Sequence, residues 1–234
     1  MALNHFTFNG HSTGELGLLV SGINIYGAPS RIVEKVNIPY RSGDLLIDTG
    51  AYSNYMLTYT VDIIDSTKAT AEAINDWLLN TVGYCELSDT YNTDYYRLAA
   101  YYNQLDYTLS ALYRYGRATI TFDCKPQKYL NSGKSPLSRT SGQKVTNPTN
   151  IPSKPFMRIY GTGTVALGTQ SFTINTNTNF VDIDCDTMQI YRGTTNLAGD
   201  VTMTEFPTLQ PGDTTITLAN TITSFSITPR WWKL

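Results

Sequence analysis

Apolar and polar residues alternate along much of this chain. A period of two is the signature of a strand with one face on a core. In Leu57-Thr58-Tyr59-Thr60-Val61-Asp62-Ile63 the odd positions are apolar and the even ones polar. Ala118-Thr119-Ile120-Thr121-Phe122-Asp123-Cys124 repeats the pattern. Further strands are expected near residues 32–38, 84–88, 95–102, 106–113, 156–160, 170–174, 179–185, 187–191, 201–206, 214–219 and 222–228. A chain of 234 residues with this pattern has room for one large β domain or two modest ones, and either buries a core.

One segment departs from the alternation. Between Lys68 and Val82, Ala73, Ile74, Trp77 and Leu78 fall at helical spacing. Ser66 or Thr67 supplies a cap and Gly83 a stop, so the spacing predicts one amphipathic helix covering a sheet face or edge, with Trp77 as its anchor.

A compositional break marks a boundary. Residues 131–155 read NSGKSPLSRTSGQKVTNPTNIPSKP, with Lys134, Arg139, Lys144 and Lys154 as bases and no acid. Pro136, Pro148, Pro152 and Pro155 lack backbone donors and are excluded from central strands, so the segment reads as a linker. The expected organisation is a β domain over 1–130 that holds the helix, a linker over 131–155, and a small β-sandwich over 156–234. Trp231 and Trp232 would form a costly apolar patch if both were solvated, so at least one is expected to pack into a groove on a domain.

Composition narrows the function classes. The formal net charge of −2 argues against a dedicated nucleic-acid binder, which needs a basic excess. Charged residues are only 15%, while Tyr occurs 17 times. Tyr suits strands, and it also gives large contact area at interfaces. The opening Met1-Ala2-Leu3-Asn4-His5 lacks a basic region followed by an apolar stretch, so no signal peptide is expected. No apolar run is long enough to span a bilayer, and no membrane insertion is expected. Cys85, Cys124 and Cys185 are odd in number and far apart, which favours buried thiols over a disulfide framework and fits folding in a cytoplasm.

No residue earns a catalytic, cofactor or metal role. His5 and His11 are the only histidines, and nothing suggests a Ser-His-Asp triad or a zinc site around them. Gly161-Thr162-Gly163-Thr164-Val165-Ala166 formally matches a dinucleotide fingerprint, with Asp182 as the later acid. It runs through Gly168 into the strand-like Ser171-Phe172-Thr173-Ile174 instead of a helix, so a hairpin turn is expected. Asp182, Asp184 and Asp186 resemble the opening of a calcium loop, but Thr187 stands where Gly is needed and Gly193 where the bidentate Glu is needed. These three acids are expected on one exposed strand face, with Val181, Ile183 and Cys185 turned inward.

Several segments together resemble the siphophage distal tail protein family from end to end. They are Phe6-Thr7-Phe8-Asn9-Gly10, Leu16-Gly17-Leu18, Pro29-Ser30-Arg31, Ile38-Pro39-Tyr40-Arg41-Ser42-Gly43-Asp44-Leu45 and Gly50-Ala51-Tyr52-Ser53-Asn54. Tyr95-Tyr96-Arg97-Leu98 and Thr121-Phe122-Asp123-Cys124-Lys125-Pro126 follow. The second half adds Asn147-Pro148-Thr149, Ile159-Tyr160-Gly161-Thr162-Gly163, Phe206-Pro207-Thr208-Leu209-Gln210-Pro211-Gly212 and Pro229-Arg230-Trp231-Trp232. The family has Gly before the Arg of its middle motif, where this chain has Tyr40.

The resemblance implies a mainly β protein: an N-terminal β-sandwich domain with one α-helix, and a C-terminal galectin-like β-sandwich. It implies a non-enzymatic structural role as a homohexameric ring at the virion tail tip. Such a ring joins the tail-tube protein to a tail-tip hub or tail-associated lysin and leaves a channel through which DNA passes, and a receptor-binding protein is a further candidate partner. A tail-tube protein, or a carbohydrate-binding adhesion module acting through the C-terminal sandwich, is the rival reading. The sequence calls for no cofactor.

Overall fold

The structure is a computed structural model and describes residues 4–23, 27–64, 68–103, 106–109, 115–176 and 179–234. It is mainly β with one helix, and the chain divides into two units, residues 1–128 with Leu234, and residues 129–233.

The first unit holds β1 (Phe6–Phe8), β2 (His11–Ser12), β3 (Leu18–Ile23), β4 (Arg31–Val36), β5 (Leu45–Tyr52) and β6 (Tyr55–Ile64). After the helix α1 (Lys68–Leu79) come β7 (Cys85–Asp89), β8 (Asn92–Ala100), β9 (Asp106–Leu109) and β10 (Tyr115–Leu130), whose last two residues belong to the second unit. The main sheet runs β2-β1-β7-β8-β10-β6-β3, with β9 also paired to β10. The alternation decides which side faces the core: Leu57, Tyr59, Val61 and Ile63 of β6 and Ala118, Ile120, Phe122 and Cys124 of β10 are all buried. Phe6, Phe8, Tyr59 and Phe122 form an aromatic cluster with centroids as close as 4.5 Å.

Helix α1 closes this core with Ile74 and Leu78. Trp77 anchors it as expected, its indole Nε1–H donating to the Phe8 carbonyl at 3.1 Å. The helix ends at Leu79, short of the expected Val82, and Val82 is exposed. The expected caps Ser66 and Thr67 lie outside the described residues, as does residues 110–113 of the strand expected over 106–113.

A buried ion pair is packed into this unit. Arg97 on β8 and Asp89 at the end of β7 have side chains only 1% and 0% exposed, and they meet at 3.1 Å. The guanidinium also donates to Tyr55 Oη at 2.9 Å and to Tyr95 Oη at 3.1 Å. Asp89 also accepts from Tyr59 Oη and from the Asn92 amide, each at 2.9 Å. Burial, with the Asp89 carboxylate beside it, pushes the Tyr59 phenol well above its ordinary range and keeps it a donor.

The second unit holds β11 (Leu137–Ser138), β12 (Lys144–Asn147), β13 (Phe156–Gly161), β14 (Gly163–Leu167), β15 (Gln170–Ile174) and β16 (Phe180–Asp184). β17 (Gln189–Arg192), β18 (Thr195–Asn196), β19 (Val201–Met203), β20 (Gly212–Leu218), β21 (Ile222–Thr228) and β22 (Trp232–Lys233) complete it. A six-stranded sheet β11-β21-β13-β16-β17-β18 and a five-stranded sheet β12-β20-β14-β15-β19 share one core, so the unit is a sandwich. Met157, Ile159, Val181, Ile183, Phe225 and Ile227 face Val165, Leu167, Phe172, Ile174 and Ile216.

Residues 131–155, expected as a linker, are part of this sandwich. β11 pairs with β21 through Leu137↔Ile227, and β12 pairs with β20 through Val145↔Thr214. Both strands are short sheet edges lying between Pro136 and Pro148, and an edge is where flanking prolines are tolerated. Gly133 lies against Trp231: a Cβ there would stand 2.5 Å from the Trp231 backbone nitrogen. Trp231 is buried in the sandwich core, held by Leu130 N–H donating to its carbonyl at 2.8 Å. Trp232 Nε1–H donates to the Pro152 carbonyl at 3.1 Å.

Two outcomes test this packing in chemical denaturation. Arg97→Met leaves the Asp89 carboxylate buried without its cation and should cost about 3–5 kcal/mol, part of which Asp89→Asn in the same background restores. Trp231→Ala should cost about 3–5 kcal/mol through the cavity it leaves.

Candidate assembly surface

β5, like β3 and β14, is a strand that the alternation rule does not predict, and here the reason is Leu45-Leu46-Ile47, a run of three consecutive apolar residues. Consecutive apolar residues in a strand belong to one covered on both faces. Here β4 and β5 form a two-stranded sheet by themselves, and among the described residues neither outer edge pairs with another strand. Ile32, Val33, Leu45, Leu46 and Ile47 are all exposed, and since neighbours in a strand point opposite ways, both faces carry apolar surface.

The hairpin is nonetheless internally ordered. Val33↔Asp48, Glu34↔Ile47, Lys35↔Leu46 and Val36↔Leu45 are in register, with an irregularity between Arg31 and Val33. The Arg31 guanidinium pairs with Asp48, donates to Tyr52 Oη at 3.0 Å and lies 5.4 Å from the Tyr52 ring centroid. The Gly50 amide and the Arg31 guanidinium hold the Asp48 carboxyl below the usual carboxylate range. At the base, Ser53 N–H donates to the Ser30 carbonyl at 2.9 Å. Tyr55, two residues beyond Ser53, carries the hydroxyl that accepts from Arg97. The hairpin therefore springs from a strand start fixed by the buried ion pair.

The tip follows from turn chemistry. Arg41 N–H donates to the Ile38 carbonyl at 3.2 Å, Pro39 takes the second turn position and Tyr40 the third, with φ +65°. This is the pattern of a type II turn, whose third position favours Gly.

The acids of the 182–186 segment are placed differently from the expectation of an exposed face. Val181, Ile183 and Cys185 are buried as expected, but so are Asp182 and Asp184. Arg158, directly across the β13/β16 ladder, forks onto Asp182 with two bonds of 2.7 Å. Arg230 forks onto Asp184 at 2.7 and 3.0 Å. The pairing partners lie 24 and 46 residues away in sequence, so local spacing gave no sign of them. Burial pushes the Asp184 carboxyl up, but the hydrogen bonds and charge of Arg230, with the Thr187 and Asp186 amides, outweigh it and hold the carboxyl below its usual range.

Gly161-Thr162-Gly163 is a corner and not a hairpin turn, because β13 and β14 belong to different sheets. Cβ atoms at Gly161 and Gly163 would stand 2.2 Å from the Thr221 carbonyl oxygen and 2.6 Å from Thr221 Oγ1, so close approach of the Thr221 turn requires both glycines. The hairpin turn comes later, at Gly168 between β14 and β15. Burial pushes the thiols of Cys124 and Cys185 up to about 12. His11 lines an open groove with Glu15, Asp76 and Trp77, and its ring centroid is 6.4 Å from that of Trp77. Among the described residues no three His, Cys, Asp or Glu side chains are grouped to hold a metal ion, and no helix is long and apolar enough to cross a membrane.

The Asp184–Arg230 fork makes the second unit acid-sensitive in a defined direction. A depressed folded pKa stabilises above the unfolded carboxylate value of about 3.9, and the contribution is lost as pH falls through the lower folded value. Asp184→Asn should lower the thermal midpoint near neutral pH and show a smaller further loss on acidification below about pH 4 than the parent chain.

No family model matches the chain, and no curated protein matches it. Three solved structures share its fold over nearly the whole length. One is titled "Crystal Structure of SPP1 Dit (gp 19.1) Protein, a Paradigm of Hub Adsorption Apparatus in Gram-positive Infecting Phages", at 13% identity and a TM-score of 0.71, covering 97% of this chain and 98% of that one. The others are the phage P2 baseplate in its activated conformation with Ca, at 10% identity and 0.55, and the same baseplate with Sr, at 11% and 0.52, with the same coverages. The chain is thus similar in fold, across both units, to a phage hub protein and to chains of a phage baseplate.

Proposed function

We propose that this chain is a structural hub of a phage tail tip that works by self-assembly and not by catalysis. Six copies close into a ring through the β4–β5 hairpin. The ring joins the tail tube to the tail-tip or host-recognition apparatus and leaves a channel through which DNA passes. The first unit makes the ring. The second is a galectin-like sandwich, for which a receptor-binding protein is the natural partner.

The observation that carries this reading is the hairpin. A two-stranded ribbon is at best marginally stable alone, and it gains from pairing at its edges. Its exposed Leu, Ile and Val side chains stabilise by up to about 1.5–3 kcal/mol each when fully buried. A hydrophobic strand pair with open edges is a template for another chain, and closed cyclic assembly is the arrangement that leaves none of these edges free. The full-length likeness in fold to a phage hub protein supports the same reading, and its siphophage setting rests on the sequence resemblance.

Native mass spectrometry and negative-stain microscopy of the whole chain test it. Closed hexamers, singly or stacked, are expected. Leu46→Asp, on a side chain already 60% exposed, should give monomers that melt where the dissociated parent chain melts. A wild-type chain that stays monomeric at micromolar concentration and shows no rings contradicts the proposal.

A further inference from the structure

We propose that Tyr40 is an anchor residue of the self-association surface, retained at the hairpin tip for contact with a second copy of the chain at the expense of the isolated fold. This rests on the assembly reading above and names the side chain on which the contact turns.

Two independent observations meet at this residue. The first is backbone strain. Four non-glycine residues have positive φ: Asn9, Tyr40, Met188 and Arg230 among the described residues. Asn tolerates the left-handed region through its short polar side chain. Arg230 is held there by its fork onto Asp184 and by the burial of Trp231 beside it. Met188 completes the connection whose Asp186 and Thr187 amides bind Asp184. Tyr40 has no such local compensation: its turn position asks for Gly, and a bulky side chain there clashes with its own backbone.

The second observation is exposure. At 110% relative exposure the Tyr40 side chain gains nothing from packing within the chain. A large aromatic ring that is strained and fully solvated contributes nothing favourable to the single chain. Strain of this kind collects where a contact outside the local structure determines it, and Tyr is among the residues enriched at binding hot spots.

The occupant follows from continuity with the open hairpin. Tyr40 stands between Val36 and Leu45, the last residues of the paired strands, so it extends the apolar faces of the hairpin. Both strands leave an edge that pairs with no other strand among the described residues, and a second copy of the same hairpin supplies the edge that matches it.

The test is sedimentation velocity of the full chain over a concentration series, with thermal melting in parallel, for Tyr40→Gly, Tyr40→Asn and Tyr40→Phe. Gly and Asn both relieve the backbone, so their melting midpoints should equal or exceed that of the parent at concentrations where all are dissociated. Both should weaken assembly by about 10-fold or more, while Phe stays within about 2-fold. If the parent assembles and either Tyr40→Gly or Tyr40→Asn assembles equally well, the anchor role is overturned while the ring reading stands. A parent chain that never self-associates overturns both.

Discussion

The buried contact between Arg97 and Asp89 is the constraint around which the first unit is organised. A charge pair with side chains almost wholly withdrawn from water is stable only with further hydrogen bonds to both partners, and here both have them. The match recruits Tyr55 and Tyr59 from β6, Tyr95 from β8 and the Asn92 amide from the β7–β8 turn. Three strands are thereby registered by polar contacts of fixed direction, where an apolar core alone would permit sliding. Tyr55 is also the first residue of β6, so the same guanidinium fixes the point from which the exposed hairpin departs.

The second unit uses the same device at its outer sheet. Asp182 and Asp184 lie two residues apart on one face, and each is covered by an arginine from elsewhere in the chain. Arg158 also lies 4.5 Å from the Phe180 ring centroid, so its apolar plane stacks while its edge bonds. Arg230 ties the C-terminal segment to the sheet immediately before Trp231 enters the core. Gly133 supplies the space on the other side. The segment around Gly133 and the segment around Trp231 thus need each other, although they are nearly 100 residues apart.

The physics of each region decided how legible it was. The strands over 57–63 and 118–124, the helix and its Trp77 anchor, and the burial of a C-terminal tryptophan follow from patterns that one strand or one helix imposes locally. Three departures from these expectations involve partners distant in sequence. Asp182 and Asp184 looked solvated because nothing nearby pairs with them. Residues 131–155 looked like a linker because prolines flank β11 and β12, and edge strands tolerate what central strands do not. Gly161 and Gly163 looked like a hairpin because the turn that crowds them, at Thr221, comes much later in the chain. β5 was missed for a different reason: its apolar run satisfies neither a one-faced strand nor any burial the single chain provides.

That last mismatch carries the functional account. The sequence of β5 is written for a strand covered on both sides, and among the described residues apolar side chains on both of its sides stay exposed. Amide hydrogen exchange compared between dilute, dissociated chain and assembled chain reads this directly. The account predicts that amides of Arg31–Val36 and Leu45–Tyr52 exchange rapidly in the dissociated chain and become strongly protected on assembly, while β6 and β10 are protected in both. An assembled particle whose hairpin amides exchange as fast as in the monomer would contradict it, because its interface would then lie elsewhere.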